Sequence, residues 1–133
     1  PNIKKMVDSF IKEAKEKGYA STLFNRKRYL PDINSSMPFI KKAAERMAIN
    51  TPIQGTAADI IKRAMIKIDE KIKKSESDIK LLLQVHDELI FEIKKDKVEE
   101  FKKIITKIMQ SNSNLDVPMI VKTSQGNSWK DLK

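Results

Sequence analysis

The sequence predicts an α+β fold in which an antiparallel sheet is packed by long amphipathic helices. Apolar residues recur at helical spacing over long stretches, as in residues 3–17 and 52–74. Elsewhere two apolar runs of strand length, residues 81–85 and 89–93, flank the charged tripeptide His86-Asp87-Glu88. A central strand rarely carries three consecutive ionisable residues, so this stretch indicates a hairpin that turns at the tripeptide.

A small basic hairpin is predicted directly after the first helix. Gly18 is a residue type that commonly ends a helix. Residues 19–24 and 28–30 have strand character, and Asn25 between them tolerates the left-handed conformation that a turn needs. The first strands of the fold are therefore expected to be short and joined at Asn25.

A loop over residues 31–38 is expected to lead into a helix over residues 39–50, which a second helix follows after a break. The residue before a proline avoids the helical region, so Asn50-Thr51-Pro52 predicts an end and a new start. Thr51 would be the N-cap, and Gln54 at the third helical position would complete a capping box. The alternative for Gln54 is that its amide contacts a groove. The small residues 55–58 would let a protein or nucleic-acid backbone approach closely.

The second half predicts strand, strand, helix and strand. After a polar link over residues 75–78 and the hairpin, Asp96 is expected to cap a helix, with Glu99 at the third helical position. Residues 111–114 would end this helix, and residues 118–122 would form one further strand. This order is half of a β-α-β-β-α-β layout.

Composition and charge restrict the class of protein. The 133 residues suffice for one domain with a core, and there are no cysteines for a disulfide framework or thiolate metal site. The chain opens without an initiator methionine, so we expect it to be a piece of a longer protein. The net charge of +9 predicts a polyanionic partner such as nucleic acid, although an AT-rich genome would also enrich lysine.

Basic and polar residues form two candidate nucleic-acid contacts. Arg26, Lys27 and Arg28 cluster at the first hairpin, where they would either bind phosphates or form a solvated loop. Arg46 and Asn50 are four residues apart, so they share one face of a helix. Because arginine is rare in this lysine-rich chain, its positions are the more informative.

The tripeptide at the second hairpin has unusual turn chemistry. Tight turns favour Asn-Gly or Asp-Gly, so Asp87-Glu88 suggests either a carboxylate displayed for function or a solvated tip. Carboxylates suit Mg²⁺ rather than zinc. The sequence has no His/Cys ligand set, P-loop or dinucleotide fingerprint, and nothing supports a Ser-His-Asp triad. Two-metal phosphoryl transfer would need a further carboxylate opposite Asp87.

Several stretches resemble one family in the same order along the whole chain. Gln84-Val85-His86-Asp87-Glu88 is similar to motif C of the family A DNA polymerases, the bacterial DNA polymerase I type. The segments 18–31, 44–60 and 126–129 also resemble that family. One departure is Asn25, where the family usually has glycine, and both residues suit a turn with positive φ.

The resemblance implies an enzyme, a DNA-directed DNA polymerase of replication and repair, and a role for each matching residue. Asp87 would be one of two metal-binding aspartates of the palm, with Glu88 as the accompanying acid and His86 near the primer terminus. The DNA contacts would be Arg46, Asn50 and Gln54 on template or primer, and Arg26, Lys27 and Arg28 on the template backbone. Two Mg²⁺ ions would support attack of a primer 3′-hydroxyl on a nucleotide α-phosphate.

The resemblance also implies what this chain lacks. Motif A, with the other metal aspartate, and the nucleotide-binding fingers helix have no counterpart here, so the chain is expected to be an incomplete palm that is inactive alone. Residues 1–35 would be the end of the fingers with the basic hairpin, and residues 36–133 a palm segment. The expected location is the bacterial cytoplasm with its nucleoid, or an organelle. No membrane partner is expected.

Two alternatives to an enzyme fragment remain open. One is a catalytically silent nucleic-acid-binding module, and the other is a structural fragment that binds only through nonspecific charge. Without the motif A strand, one edge of the palm sheet would lack its partner, and exposed edges invite pairing with another chain. The sequence therefore predicts a dimer through that edge.

Overall fold

The structure, a computed structural model, describes residues 2–75, 78–111 and 115–132. It divides into two compact units, residues 1–59 and 60–133. The described residues form long helices and two antiparallel sheets of two strands each, which confirms the predicted α+β class. None of the described helices is both long and apolar enough to cross a bilayer.

The first unit is built around a core of small side chains. Its elements are α1 (Asn2–Lys17), β1 (Tyr19–Ser21), β2 (Lys27–Tyr29) and α2 (Pro38–Asn50). The core consists of Ala14, Ala20, Leu30, Ile33, Ala44 and Ala48. Four alanines let the helices and the β1–β2 hairpin approach closely. At the rim of this core, a hydrogen bond from Lys15 at 2.7 Å holds the pKa of Glu45 below its ordinary value.

The predicted break between the two central helices is wrong. Thr51 has helical dihedrals, and α2 continues through a π-helical segment, Thr51–Gly55, into α3 (Thr56–Ile72). Pro52 has no N–H to donate and its ring crowds the preceding turn. A wider π turn accommodates the proline while the helix stays continuous.

The second unit packs a hairpin and a helix around branched and aromatic side chains. Its elements after α3 are β3 (Ile79–Val85), β4 (Glu88–Ile93) and α4 (Val98–Ser111). The buried cluster consists of Ile68, Ile72, Ile79, Phe101 and Ile105, with Leu89, Phe91 and Ile93 packed against it. The predicted packing of an antiparallel sheet against amphipathic helices is therefore confirmed in this unit.

The β3–β4 ladder contains an irregularity that the sequence pattern does not indicate. Leu81 pairs with Phe91 and Leu83 pairs with Ile90, so Leu82 is an extra residue in β3. Such a bulge shifts the alternation of faces by one residue. Leu82 and Leu83 are consequently both exposed.

Two further predictions are wrong, and two extend beyond the described residues. Residues 118–122 form no strand within the described part of the chain, because this segment pairs with no strand there. Asp96 does not cap α4, since it lies inside a 3₁₀ turn, Lys95–Lys97, that starts the helical winding earlier. Of the predicted loops over residues 75–78 and 111–114, positions 76–77 and 112–114 lie outside the described residues.

Candidate functional site

The basic residues of the first hairpin are exposed, and their side chains also contact neighbouring residues of the protein. The predicted left-handed turn is confirmed, with φ +62° at Asn25. Lys27 Nζ lies 4.6 Å from the centre of the Tyr19 ring, and Arg28 Nη2 lies 3.4 Å from Met47 Sδ. All three residues of β2 are exposed. The cationic groups of Lys27 and Arg28 therefore remain accessible to a phosphate.

Arg26 makes different contacts from its two basic neighbours. Its Nε donates to Asp59 Oδ1 at 2.7 Å, and its Nη2 donates to the Gly55 carbonyl at 3.1 Å. Asp59 is buried, whereas half of the Arg26 side chain is exposed. The guanidinium thus joins the turn to the helix at the junction of the π segment and α3.

The remaining contacts of this turn also involve the small residues of the helix. The Leu23 amide donates to Thr56 Oγ1 at 3.0 Å, and Thr56 Oγ1 in turn donates to the Pro52 carbonyl. A Cβ on Gly55 would lie only 2.7 Å from Thr22 Cγ2. The small end of the helix therefore lies against the first turn through the Thr22 side chain and the Leu23 amide.

Arg46, Asn50 and Gln54 are exposed on the α2 helix and its π segment. The predicted capping box is wrong, because Thr51 is buried within the helix and its Oγ1 donates back to the Met47 carbonyl at 2.7 Å. The side-chain amide of Gln54 has no hydrogen-bond partner within the described residues. The alternative for Gln54, contact with a groove, stays a prediction.

The π segment affects the direction of this polar row. In a regular α-helix, a step of four residues overshoots a full turn, so Gln54 would rotate progressively away from Arg46. An i→i+5 turn contains more residues per turn, which reduces that overshoot between Asn50 and Gln54. We therefore expect the three polar side chains to lie closer to one line along the helix than they would in a regular α-helix.

The second hairpin turns over two residues rather than three. His86 and Asp87 form the turn, and Glu88 is already the first residue of β4, paired with Val85. His86 has φ +54°, a conformation uncommon for a residue with a side chain. The Gln84 amide donates to the His86 carbonyl at 3.1 Å, so a side chain of β3 closes the turn.

The carboxylates of this turn are chemically suited to a hard cation. Asp87 and Glu88 are exposed, and no hydrogen bond or ion pair reaches the Asp87 carboxylate from the described residues. Mg²⁺ is commonly bound through one or two carboxylates plus water and substrate phosphates. The described residues contain no group of three acidic, histidine or cysteine side chains, so Asp87 and Glu88 would supply only part of a ligand set.

Four residues with structural roles at these sites were not identified from the sequence. Thr22, Gly55 and Asp59 hold the first turn on the helix, and Gln84 closes the second turn. Only Gly55 carried a usable signal, as part of a run of small residues. An isolated Thr, Asp or Gln does not reveal its partner without the tertiary contacts.

Comparison with known proteins identifies the family. The family model for DNA polymerase family A matches residues 1–131. The chain is 46% identical over 133 residues to DNA polymerase I of Bacillus caldotenax, covering all of this chain and 15% of that protein. It is 47% identical over 131 residues to DNA polymerase I of Bacillus subtilis, covering 98% of this chain and 15% of that protein.

A solved structure has the same fold. It is described as the POL domain of Pol1 from M. smegmatis in complex with DNA primer-template and dNTP. The match has a TM-score of 0.93 at 42% sequence identity, and it covers 98% of this chain and 23% of that one. With the family model matching nearly the whole sequence, the chain belongs to DNA polymerase family A.

Proposed function

We propose that this chain is the C-terminal part of a DNA-directed DNA polymerase that extends a primer 3′-hydroxyl by template-directed nucleotidyl transfer. The chain spans about 15% of the curated relatives it matches. The observation that carries the proposal is the β3–β4 turn, which exposes the Asp87 carboxylate on a two-residue turn in a family A chain. The partners would be primer–template DNA and a dNTP, and the location the bacterial cytoplasm and nucleoid.

The turn residues have separate roles in this proposal. Asp87 would bind metal, Glu88 would support that site from the start of β4, and His86 would contact the primer terminus. A metal ion such as Mg²⁺ held by Asp87 would supply activation of the primer hydroxyl and neutralisation of the charge on the leaving pyrophosphate. The second metal-binding aspartate would come from motif A, elsewhere in the polymerase.

The basic and polar residues of the first unit would bind DNA. Arg46, Asn50 and Gln54 form an exposed row that suits contacts to template or primer, partly through the minor groove. Lys27 and Arg28 would contact the template backbone, and Arg26 precedes them in the same turn. Residues 1–35 would belong to the end of the fingers and residues 36–133 to the palm.

Primer extension by the full-length polymerase tests the proposed role of Asp87. Asp87→Asn should lower the rate by about a thousandfold, since a metal contributes several kcal/mol of transition-state stabilisation. Asp96→Asn is the matched control, because Asp96 is also an exposed acid of the second unit but lies in the turn before α4. Equal rates for the wild type and the Asp87→Asn variant would refute the assignment.

The proposed inactivity of this chain alone needs its own assay. Primer extension with residues 1–133 should show no Mg²⁺-dependent synthesis, because the site would lack its second aspartate. Synthesis that disappears on Asp87→Ala would overturn this part of the proposal. Loss of primer–template binding by Arg46→Ala at a nearly unchanged salt slope would exclude a structural fragment that binds only through nonspecific charge.

The dimer through a sheet edge stays a prediction. Its basis is that β3 and β4 pair only with each other among the described residues, so neither outer edge of this sheet has a paired strand there. Sedimentation of residues 1–133 over a range of concentrations should show a concentration-dependent dimer. A monomer at the highest concentration would exclude it.

A further inference from the structure

Arg26 differs from Lys27 and Arg28 in what it binds within the protein. We propose that Arg26 is a positioning residue, which holds the β1–β2 turn on the helix that carries Asn50 and Gln54, and that it does not itself bind a DNA phosphate. The role in DNA binding rests on the function proposed above. The contacts that support it lie entirely within the first unit.

The guanidinium of Arg26 has two strong partners on the helix. The bond from Nε to Asp59 Oδ1 is 2.7 Å long and joins a cation to a buried carboxylate, the class of hydrogen bond with the largest energies. The second bond, from Nη2 to the Gly55 carbonyl, ties the same side chain to the same stretch of helix. A lysine has no planar fork and would not reproduce both bonds.

The Asp59 carboxylate offsets the charge of the Arg26 guanidinium. A phosphate that approached Arg26 would also approach the Asp59 carboxylate, and the repulsion would offset part of the attraction. Lys27 and Arg28 have no acidic partner within the described residues. The favourable field for a template phosphate at this turn therefore comes from those two residues.

The position of the turn and that of the polar row depend on the same few residues. Arg26 binds Gly55, the last residue of the π segment, and Gln54 precedes it on the exposed side. The close approach at Gly55 leaves no room for a side chain between the turn and the helix. Loss of the Arg26 bonds would therefore displace Lys27 and Arg28 relative to Gln54.

Primer–template binding by the full-length polymerase, measured against salt, separates positioning from phosphate contact. Both Arg26→Lys and Asp59→Asn should weaken binding about fivefold with an unchanged salt slope, and the double variant should be no weaker than either. Arg28→Ala, the control for a phosphate contact, should reduce the slope by about 0.9. Because Asp59→Asn removes a negative charge, a purely electrostatic role for Arg26 predicts tighter binding instead.

The competing outcome is equally specific. Three results together would overturn the positioning role. Arg26→Lys would bind with the affinity of the wild type, Arg26→Ala would reduce the salt slope by about 0.9, and Asp59→Asn would bind more tightly. If the wild-type polymerase failed to bind or extend DNA, the proposed function would fail, and the positioning role would still be tested by hydrogen exchange without DNA. Exchange of the amides in residues 22–29 should accelerate about tenfold in Arg26→Lys and Asp59→Asn, but not in Arg28→Ala. Unchanged exchange in the first two variants would refute the proposal.

Discussion

Both hairpins of this chain turn at a residue with positive φ, but different side chains hold the two turns in place. Each has one non-glycine residue with positive φ, Asn25 in the first and His86 in the second. The first turn is closed by a buried Thr22 and held against a helix, whereas the second is closed by an exposed Gln84. The first arrangement fixes cationic side chains on a rigid surface, and the second exposes a carboxylate with few constraints.

The largest difference between the hairpins should appear when the closing side chain loses its polar atom. Thr22 Oγ1 accepts from the amides of Phe24 and Arg26, both at 3.2 Å. Thr22→Val keeps the shape but removes this acceptor, which should cost about 2 kcal/mol of local stability because part-buried donors lose a partner. Hydrogen exchange of the Phe24 and Arg26 amides measures the loss.

Thr22→Ser is the matched control for that variant. It keeps the hydroxyl and removes only the methyl group, so amide protection at the turn should stay close to that of the wild type. Equal acceleration of exchange in Thr22→Val and Thr22→Ser would show that methyl packing, and not the hydroxyl acceptor, closes the first hairpin.

The close approach of the first turn to its helix gives a second, smaller effect. Gly55→Ala places a Cβ 2.7 Å from Thr22 Cγ2, and this overpacking should cost about 1 kcal/mol after the gain in helix propensity. In a Thr22→Ser background the contacting methyl is absent, so the same substitution should be neutral or stabilising. Chemical denaturation of the four proteins of this cycle measures the coupling, and additive effects would contradict the contact.

The positive φ angles allow a direct comparison of the two turns. His86→Gly should relieve the strain of the left-handed conformation and stabilise the second hairpin by up to about 1 kcal/mol. The larger entropy of glycine in the unfolded chain reduces this gain. Asn25→Gly should gain less, because Asn tolerates this conformation better than most residues. The readout is exchange of the Val85 and Glu88 amides for the second turn and of the Thr22 and Arg26 amides for the first, and a larger gain at Asn25 would reverse this ranking.

Local sequence patterns correctly predicted the helices and the first turn, since both depend on residues close together in the sequence. The apolar stripes located the helices, and Asn25 located the first turn. The Thr51-Pro52 pair, however, has the local chemistry of a helix start, and only the π turn keeps the helix continuous. The bulge at Leu82 and the absence of a strand over residues 118–122 depend on pairing with other parts of the chain, which a single segment does not encode.

The sequence predicted which residues belong to the candidate site, but it did not predict the contacts that those residues make. The resemblance around Asp87 identified the family, which the comparisons confirm. The same resemblance grouped Arg26 with Lys27 and Arg28, since all three are basic and adjacent. The bond to Asp59, 33 residues away in sequence, distinguishes Arg26 from its neighbours and has no sequence signature.

The smallest predicted effect lies at the exposed closure of the second turn. Gln84→Met removes the bond from the amide to the His86 carbonyl while it keeps the length of the side chain. Since the carbonyl remains accessible to water, the loss should be only about 0.5 kcal/mol, near the lower limit for a hydrogen bond. Gln84→Glu is the sharper control, because an ionised carboxylate cannot donate to that carbonyl and should be at least as destabilising. Exchange of the Glu88 amide measures both variants, and a loss as large as that of Thr22→Val would show that the second turn is as firmly held as the first.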